Sequence, residues 1–176
     1  MTMLEVCNFG KTFTNHQLQS IRQAVQDIQF RLEKGQFLGI VGKSGSGKST
    51  ILKSIYRTYL PDQGQIFFDS ARFGKVDITQ VTERQMIYLR KHEIGYVSQF
   101  LNVMPRTTSR ELVENAILEM GESESVARSE AEKALAHFEL DKKLWDMYPN
   151  TFSGGEKLRL NIAMATVKKP RLLLLD

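Results

Sequence analysis

The stretch Gly42-Lys43-Ser44-Gly45-Ser46-Gly47-Lys48-Ser49 decides the fold. Its glycines, followed by a lysine and a hydroxyl residue, have the spacing of a phosphate-binding loop. The loop comes directly after the apolar run 37–41 and directly before residues 48–56, which have helical character. We expect the run to form a strand buried on both faces, because strand, loop and helix in this order are the context that the motif requires.

The chemistry of this loop follows from its residue types. Glycines allow backbone N–H groups to curl around phosphates, and the following helix presents its positive N-terminal end. The sequence therefore predicts that Lys48 reaches the β and γ phosphates and that Ser49 ligates Mg²⁺. The predicted nucleotide-binding residues of the loop are Gly42, Ser44, Gly45, Ser46, Gly47, Lys48, Ser49 and Thr50.

A second candidate element lies at the far end of the sequence. The run 172–175 consists of four leucines and predicts a buried strand that delivers Asp176 at its C-terminal edge. An apolar run that ends in aspartate is common, but here a strong phosphate loop precedes it. We therefore expect the Asp176 carboxylate to hold Mg²⁺ beside Ser49.

The third signal is Ser153-Gly154-Gly155-Glu156. Ser153 and Glu156 have the spacing of a capping box, which by itself predicts only the start of a helix. The two glycines need another reason, since each destabilises a helix by about 1 kcal/mol relative to alanine. A bare helix N-terminus that a phosphate approaches closely explains both features.

The remaining pattern predicts alternating strands and helices. Short strands are expected at 4–9 and 25–32, and an antiparallel pair at 65–69 and 75–78 after the turn at 61–64. Helices are expected to begin at Thr82 and Thr108, with a strand at 94–98 between them and a further helix at 122–138.

Composition excludes several classes of protein. The chain has 176 residues, 41% hydrophobic and 25% charged, which is typical of a soluble globular domain. A net charge of +4 falls short of the dense basic tracts of nucleic-acid binders, so no nucleic-acid partner is expected. With Cys7 as the single cysteine and no apolar run near the roughly 18 residues of a membrane span, we expect a cytoplasmic protein that does not insert into the membrane.

The three motifs in this order and spacing resemble the ATP-binding-cassette (ABC) ATPases. The resemblance implies that Ser153, Gly154, Gly155 and Glu156 form the signature motif, which caps the γ-phosphate held by a second ABC subunit, in a homodimer or heterodimer. It also implies that Gln99 senses Mg²⁺, the attacking water and the partner, and that Phe13 stacks on adenine, with Phe9 as the alternative. Lys48, Gln99 and Asp176 are then the expected catalytic residues, with ATP and Mg²⁺ as cofactors.

Within that family, the sequence resembles the ATP-binding subunit of the phosphonate carbon–phosphorus lyase system. The discriminating pieces are Ser-Gln-Phe-Leu at 98–101, Pro-Arg at 105–106 and Thr-Phe-Ser-Gly-Gly-Glu at 151–156. Two residues depart from the family after the signature, Leu158 in place of a glutamine and Met164 in place of a basic residue. Core subunits of the lyase are the partners that this resemblance implies.

The resemblance implies an α/β fold, a P-loop NTPase of ABC type with a parallel core sheet, an antiparallel β layer and a helical subdomain. We expect an ATP-binding core at 1–98 and 150–176 and a helical subdomain at 99–149. In this family the aspartate that corresponds to Asp176, called the Walker B aspartate, is followed by a catalytic glutamate, a dimer-contact loop and a switch histidine. A C-terminally incomplete domain is therefore expected, and the 176-residue chain itself is expected not to hydrolyse ATP.

The expected function is ATP hydrolysis in phosphonate breakdown with the carbon–phosphorus lyase complex. Two alternatives share the nucleotide motifs. The first is the ATPase subunit of a membrane transporter, which differs in what the region 99–122 contacts. The second is a nucleotide-binding assembly module that does not hydrolyse ATP.

Overall fold

The computed structural model describes residues 1–15, 20–101 and 105–176. The chain forms two compact units, Met1–Arg90 and Lys91–Asp176. The phosphate loop lies in the first unit. The signature segment, Gln99 and Asp176 lie in the second.

An antiparallel sheet makes up most of the first unit. The strands are β1 (Thr2–Asn15), β2 (Ser20–Glu33), β3 (Gln63–Ser70) and β4 (Gly74–Asp77). Their order in the sheet is β2-β1-β3-β4, and the predicted strands 4–9 and 25–32 lie within the longer strands β1 and β2. The turn at 61–64 ends at Gly64, whose φ of 83° is in the left-handed region.

Two helices accompany this sheet, α1 (Lys48–Ile55) and α2 (Glu83–His92). Their starts agree with the sequence prediction, since α1 begins at the loop lysine and Thr82 precedes α2. Apolar side chains of the sheet and of both helices are buried and form the core of this unit. The least exposed of these side chains are Phe9, Ile55, Ile66, Phe68, Met86 and Leu89.

The prediction of a strand at 37–41 is wrong. Residues 36–43 have no regular secondary structure, and Phe37 and Val41 are 87% and 93% exposed. An apolar run becomes a strand only when neighbouring strands satisfy its N–H and C=O groups and cover its side chains. No sheet of the described residues includes this segment as a strand.

Among its described residues, the second unit contains a parallel strand pair and three helices. The pair joins β5 (Ile94–Val97) to β6 (Leu172–Leu175) in the register Ile94↔Leu172 to Val97↔Leu175. Leu172 and Leu174 are buried, but Leu175 is 51% exposed, so the four-leucine strand is buried on one face rather than on both. The elements are β5 (Ile94–Val97), α3 (Ser109–Leu118), α4 (Glu124–His137), α5 (Gly154–Thr166) and β6 (Leu172–Leu175), with 3₁₀ turns at Lys142–Leu144 and Pro149–Thr151.

Local capping signals fix where these helices begin. Thr108 and Ser153 each form a complete capping box, with Glu111 and Glu156 respectively, as their spacing predicts. Ser123 caps α4 by accepting a hydrogen bond from Val126 N. The three helices pack around one apolar cluster that includes Val113, Ala131, Leu135, Trp145, Phe152 and Leu160.

Candidate functional site

The phosphate loop curls because two of its glycines adopt left-handed backbone conformations. Gly45 and Gly47 have φ values of 77° and 90°. Residues other than glycine rarely adopt such backbone angles. A hydrogen bond of 3.2 Å from Ser46 N to Lys43 O closes the turn. The loop residues 42–46 are exposed, so their backbone is accessible to a ligand.

Lys48 is held in place by the loop itself. Its Nζ donates to Gly42 O and to Lys43 O, each at 2.8 Å. An ammonium group has three N–H donors, and these two bonds fix its position inside the curl of the loop. The charge is therefore already at the loop centre, where the sequence predicts the β and γ phosphates.

The N-terminus of α1 carries no group that neutralises its dipole. Its N-cap is Gly47 with no side-chain cap, and the first turn has no acidic residue. A Cβ added to Gly42 would lie 2.7 Å from Ser46 Oγ, so a side chain at this position would require the Ser46 hydroxyl to move. A positive helix end, an ammonium group and a glycine cradle together fit a phosphate group.

Strand β2 supports the loop from one side. Arg22 Nη2 donates to Gly45 O at 3.1 Å, and a Cβ on Gly47 would meet Val25 Cγ1 and lie 2.6 Å from Ala24 O. The sequence alone did not point to Arg22, because no pattern relates a strand residue to a loop some twenty positions later. Arg22, Ala24 and Val25 of β2 therefore lie against one side of the loop.

We expect Gly47→Ala to lower the free energy of unfolding by more than about 2 kcal/mol, since the new methyl group meets Val25 and Ala24 in a strained conformation. Gly121→Ala is the matched control. Gly121 has a φ of 93°, and a Cβ added there would have nothing within 4 Å, so this substitution should cost only about 1 kcal/mol. Urea denaturation measures both, and equal losses would contradict a tightly packed loop.

Phe13 lies in β1 as the cross-strand partner of Arg22, which places the predicted adenine platform next to a residue that contacts the loop. Its ring packs edge-on against Tyr59, with centroids 5.1 Å apart, and borders a pocket of about 390 Å³. The alternative, Phe9, is fully buried in the core. The structure therefore favours Phe13 over Phe9 as the accessible aromatic.

In the second unit, the start of α5 is open as well as capped. Ser153 N donates to Glu156 Oε2 at 2.7 Å, and Glu156 N donates to Ser153 Oγ at 3.3 Å. A Cβ on Gly154 would have nothing within 4 Å, and one on Gly155 would meet only Arg159 Nη1 at 3.9 Å. Gly154 and Gly155 thus leave the backbone of the first helical turn uncovered, while the Glu156 carboxylate covers Ser153 N; binding of a phosphate at this end stays a prediction.

The capping box makes the start of α5 sensitive to pH. The Ser153 backbone N–H, then its hydroxyl, then the charges of Arg159 and Lys143 lower the pKa of Glu156 from its ordinary 4.5. Because the pKa of Glu156 is lower in the folded than in the unfolded chain, its ionised carboxylate stabilises the fold at any pH above the unfolded-state pKa. This stabilisation is lost as the pH falls through the folded-state pKa. We expect an NMR titration of Glu156 to show a midpoint below 4.5; a midpoint at or above 4.5 would contradict the box.

Gln99 and Asp176 follow the two parallel strands at the same edge of the pair. Val97 pairs with Leu175, and Asp176 N donates to Val97 O at 2.9 Å. The Asp176 carboxylate accepts a 2.6 Å hydrogen bond from the hydroxyl of Tyr96. The topology thus places two of the three predicted Mg²⁺ ligands at the same edge of the strand pair, and oxygen donors of this kind suit that ion.

Tyr96 and Asn161 are two further polar residues at this edge that the sequence did not single out. Asn161 Nδ2 donates to Ser98 O at 2.9 Å. A signal for Asn161 existed, since it is a polar residue on the buried face of α5 between Leu160 and Ala163. No sequence signal pointed to Tyr96, because tyrosine is a common residue in strands.

The other predicted Mg²⁺ ligand, Ser49, lies in the first turn of α1, in the other unit. Its meeting with Gln99 and Asp176 stays a prediction. Among the described residues there is no group of three or more histidine, cysteine, aspartate or glutamate side chains that could bind a metal by themselves.

Comparison with known proteins adds the family. The model of the family described as "ABC transporter" matches residues 25–176. The methionine import ATP-binding protein MetN of Legionella pneumophila (strain Paris) is 32% identical, over 99% of this chain and 47% of its own length. The lipoprotein-releasing system ATP-binding protein LolD of Colwellia psychrerythraea is 29% identical, over 99% of this chain and 64% of its own. The chain thus spans about half to two thirds of these relatives.

Solved structures agree on the fold. A dimeric structure of MJ0796, a bacterial ABC transporter cassette, superposes with a TM-score of 0.89 at 29% identity, covering 99% of this chain and 73% of that one. A dimeric post-hydrolysis state of the same cassette, bound to ADP and Pi, gives a TM-score of 0.88. Within the described residues, no helix has the length and apolar character needed to cross a bilayer.

Proposed function

Because this chain belongs to the ATP-binding-cassette family, as the match over residues 25–176 shows, we propose that it is the nucleotide-binding part of an ATP-hydrolysing ABC transporter subunit. The observation that carries the proposal is the phosphate loop, with Lys48 fixed on Gly42 O and Lys43 O at its centre. A preformed cation inside a glycine cradle recognises a polyphosphate through charge-assisted hydrogen bonds.

The residues of the first unit hold the nucleotide at both of its ends. Lys48 contacts the β and γ phosphates, while backbone N–H groups of the loop and the N-terminus of α1 surround them. Phe13 supplies an aromatic face for adenine. The proposed nucleotide-binding residues are those predicted from the sequence: Phe13, Gly42, Ser44, Gly45, Ser46, Gly47, Lys48, Ser49 and Thr50.

The proposed Mg²⁺ ligands are Ser49, Gln99 and Asp176. The bound ion would neutralise charge on the phosphate oxygens during transfer to water. In this role Tyr96 orients the Asp176 carboxylate through its 2.6 Å hydrogen bond, so that one carboxylate oxygen is fixed before the ligand arrives. Gln99 would orient the attacking water.

We propose that Ser153, Gly154, Gly155 and Glu156 act on nucleotide held by a second ABC subunit. The open helix end provides unpaired N–H groups and a hydroxyl, which suit a γ-phosphate. The dimeric arrangement of the MJ0796 cassette supports such a pairing. Closure of the dimer would then transmit ATP binding to partner proteins.

Transport is the better supported setting for this ATPase. The relatives described above are named for methionine import and lipoprotein release, and these names support a transporter over the carbon–phosphorus lyase complex expected from the sequence. We propose membrane-embedded subunits as partners and the cytoplasmic side of a membrane as the location.

The partner can be tested by co-purification. The tagged chain, expressed in its own host with neighbouring genes intact, should be recovered from detergent-solubilised membranes together with integral membrane subunits, identified by mass spectrometry. A parallel purification from the soluble fraction is the control. Stoichiometric recovery with soluble lyase subunits, and none from membranes, would contradict the transporter proposal and return the function to phosphonate breakdown.

A further inference from the structure

We propose that Asn161 is a positioning residue that couples helix α5, and with it the signature segment, to Gln99. The inference rests on the proposed function, because Gln99 and Ser153 act on nucleotide only if that function is correct. The observation that carries it is the 2.9 Å hydrogen bond from Asn161 Nδ2 to Ser98 O, between residues 63 positions apart in the sequence.

Asn161 occupies a position where an amide is costly. It lies inside α5, where asparagine is a weak helix former, and it is only 9% exposed, between the buried Leu160 and Ala163. A buried amide is destabilising unless it is hydrogen-bonded, and an apolar residue of similar size would pack there without that cost. Its bond to Ser98 O is therefore the feature that distinguishes Asn161 from an ordinary core residue.

The accepting carbonyl belongs to the peptide group that carries Gln99 N. Because a peptide group is planar and rigid, a bond that fixes Ser98 O also fixes the direction in which the chain enters Gln99. On the other side of Gln99, the Ser98 hydroxyl donates to Phe100 O at 2.6 Å. Gln99 is thus held by its flanking backbone, while its own side chain is exposed.

The same helix carries the signature segment at its other end. Ser153 caps α5 and Asn161 lies eight residues further on, which is about 12 Å along a rigid helix. A displacement of the signature end on contact with a ligand would therefore move Asn161, and through Ser98 O it would move the backbone at Gln99. This gives two predicted nucleotide-facing elements of one subunit a direct mechanical link.

A double-mutant cycle on the 176-residue chain tests the link without nucleotide. Asn161→Leu keeps the branched shape of the side chain and removes the donor, and Ser153→Ala disturbs the signature end. We expect Asn161→Leu to shift the backbone amide ¹H–¹⁵N NMR signals of Gln99 and Phe100, because the Ser98 carbonyl loses its donor. Ser153→Ala should shift the same two signals in the wild-type background and leave them unchanged in the Asn161→Leu background.

Thr166→Val is the matched control. Thr166 also makes a side-chain hydrogen bond from α5, but to Ile162 O within the same helix at 2.7 Å, so Thr166→Val should leave the amide signals of Gln99 and Phe100 unchanged. If Asn161→Leu does not fold, Asn161→Ala removes the donor without added volume or charge and serves in the cycle. A purely structural role would lower the melting temperature without changing the Ser153→Ala effect.

Equal Ser153→Ala effects in both backgrounds, or an unchanged amide signal of Gln99 in Asn161→Leu, would overturn the proposal. Titration of the same proteins with ATP separates this failure from failure of the proposed function. A wild-type chain that does not bind ATP would overturn the function but leave the NMR cycle, which needs no nucleotide, intact.

Discussion

Lys48→Ala should weaken ATP binding by about 10- to 100-fold, the effect expected when a charged group loses its hydrogen bonds to phosphate oxygens. The structure explains why we expect the loss of ATP affinity to lie at the upper end of this range. Lys48 Nζ is already fixed by two 2.8 Å bonds to Gly42 O and Lys43 O, so little side-chain entropy is lost when the phosphates arrive. Titration with a fluorescent ATP analogue in the presence of Mg²⁺ measures the change.

Lys43→Ala is the matched control for this prediction. Lys43 carries the same charge in the same loop, but its side chain is exposed. Its removal should change affinity by no more than about threefold, through long-range electrostatics alone. Equal ATP affinities of the wild type and Lys48→Ala would show that Lys48 does not contribute to ATP binding. Equal losses of affinity in Lys48→Ala and Lys43→Ala would show that Lys48 contributes only through its positive charge.

Ser153→Arg should leave ATP binding by one subunit almost unchanged and weaken nucleotide-dependent dimer formation at least about tenfold. The side chain of arginine would fill the space above Gly154, where an added Cβ has nothing within 4 Å. That space is where the phosphate held by a second subunit is proposed to bind. Sedimentation velocity with a slowly hydrolysed ATP analogue reports the loss directly.

Ser123→Arg controls for the loss of a helix cap. Ser123 caps α4 as Ser153 caps α5, so each variant loses about 1 kcal/mol of capping. Residues 124 and 125, however, are not glycines, and no ligand is proposed at that end. Dimer formation should therefore survive in Ser123→Arg, and normal dimer formation by Ser153→Arg would leave Ser153 as a helix cap only.

The elements predicted correctly from the sequence are those with local causes. Thr108 with Glu111 and Ser153 with Glu156 fix helix starts through hydrogen bonds that span three residues. The curl of the phosphate loop is likewise local, since Gly45 and Gly47 supply the left-handed conformations that it needs. Such features require no knowledge of the rest of the fold.

Predictions failed, or were absent, where distant partners decide the outcome. The run 37–41 has the residues of a buried strand, but a strand requires neighbours, and Val41 is 93% exposed. Arg22 on Gly45 O and Asn161 on Ser98 O join residues far apart in the sequence, and a single sequence carries no record of such pairs. Nor do the nucleotide motifs decide between a lyase and a transporter, because that choice depends on surfaces that these motifs do not describe.

The central claim is that this chain recognises the polyphosphate of ATP through its phosphate loop. Calorimetric titration of the wild-type chain with ATP and with AMP, each with Mg²⁺, tests it most directly, because AMP keeps the base and lacks the β and γ phosphates. We expect one ATP bound per chain and an affinity for AMP at least about tenfold weaker. Equal affinities for ATP and AMP, or no binding of ATP at millimolar concentration, would contradict it.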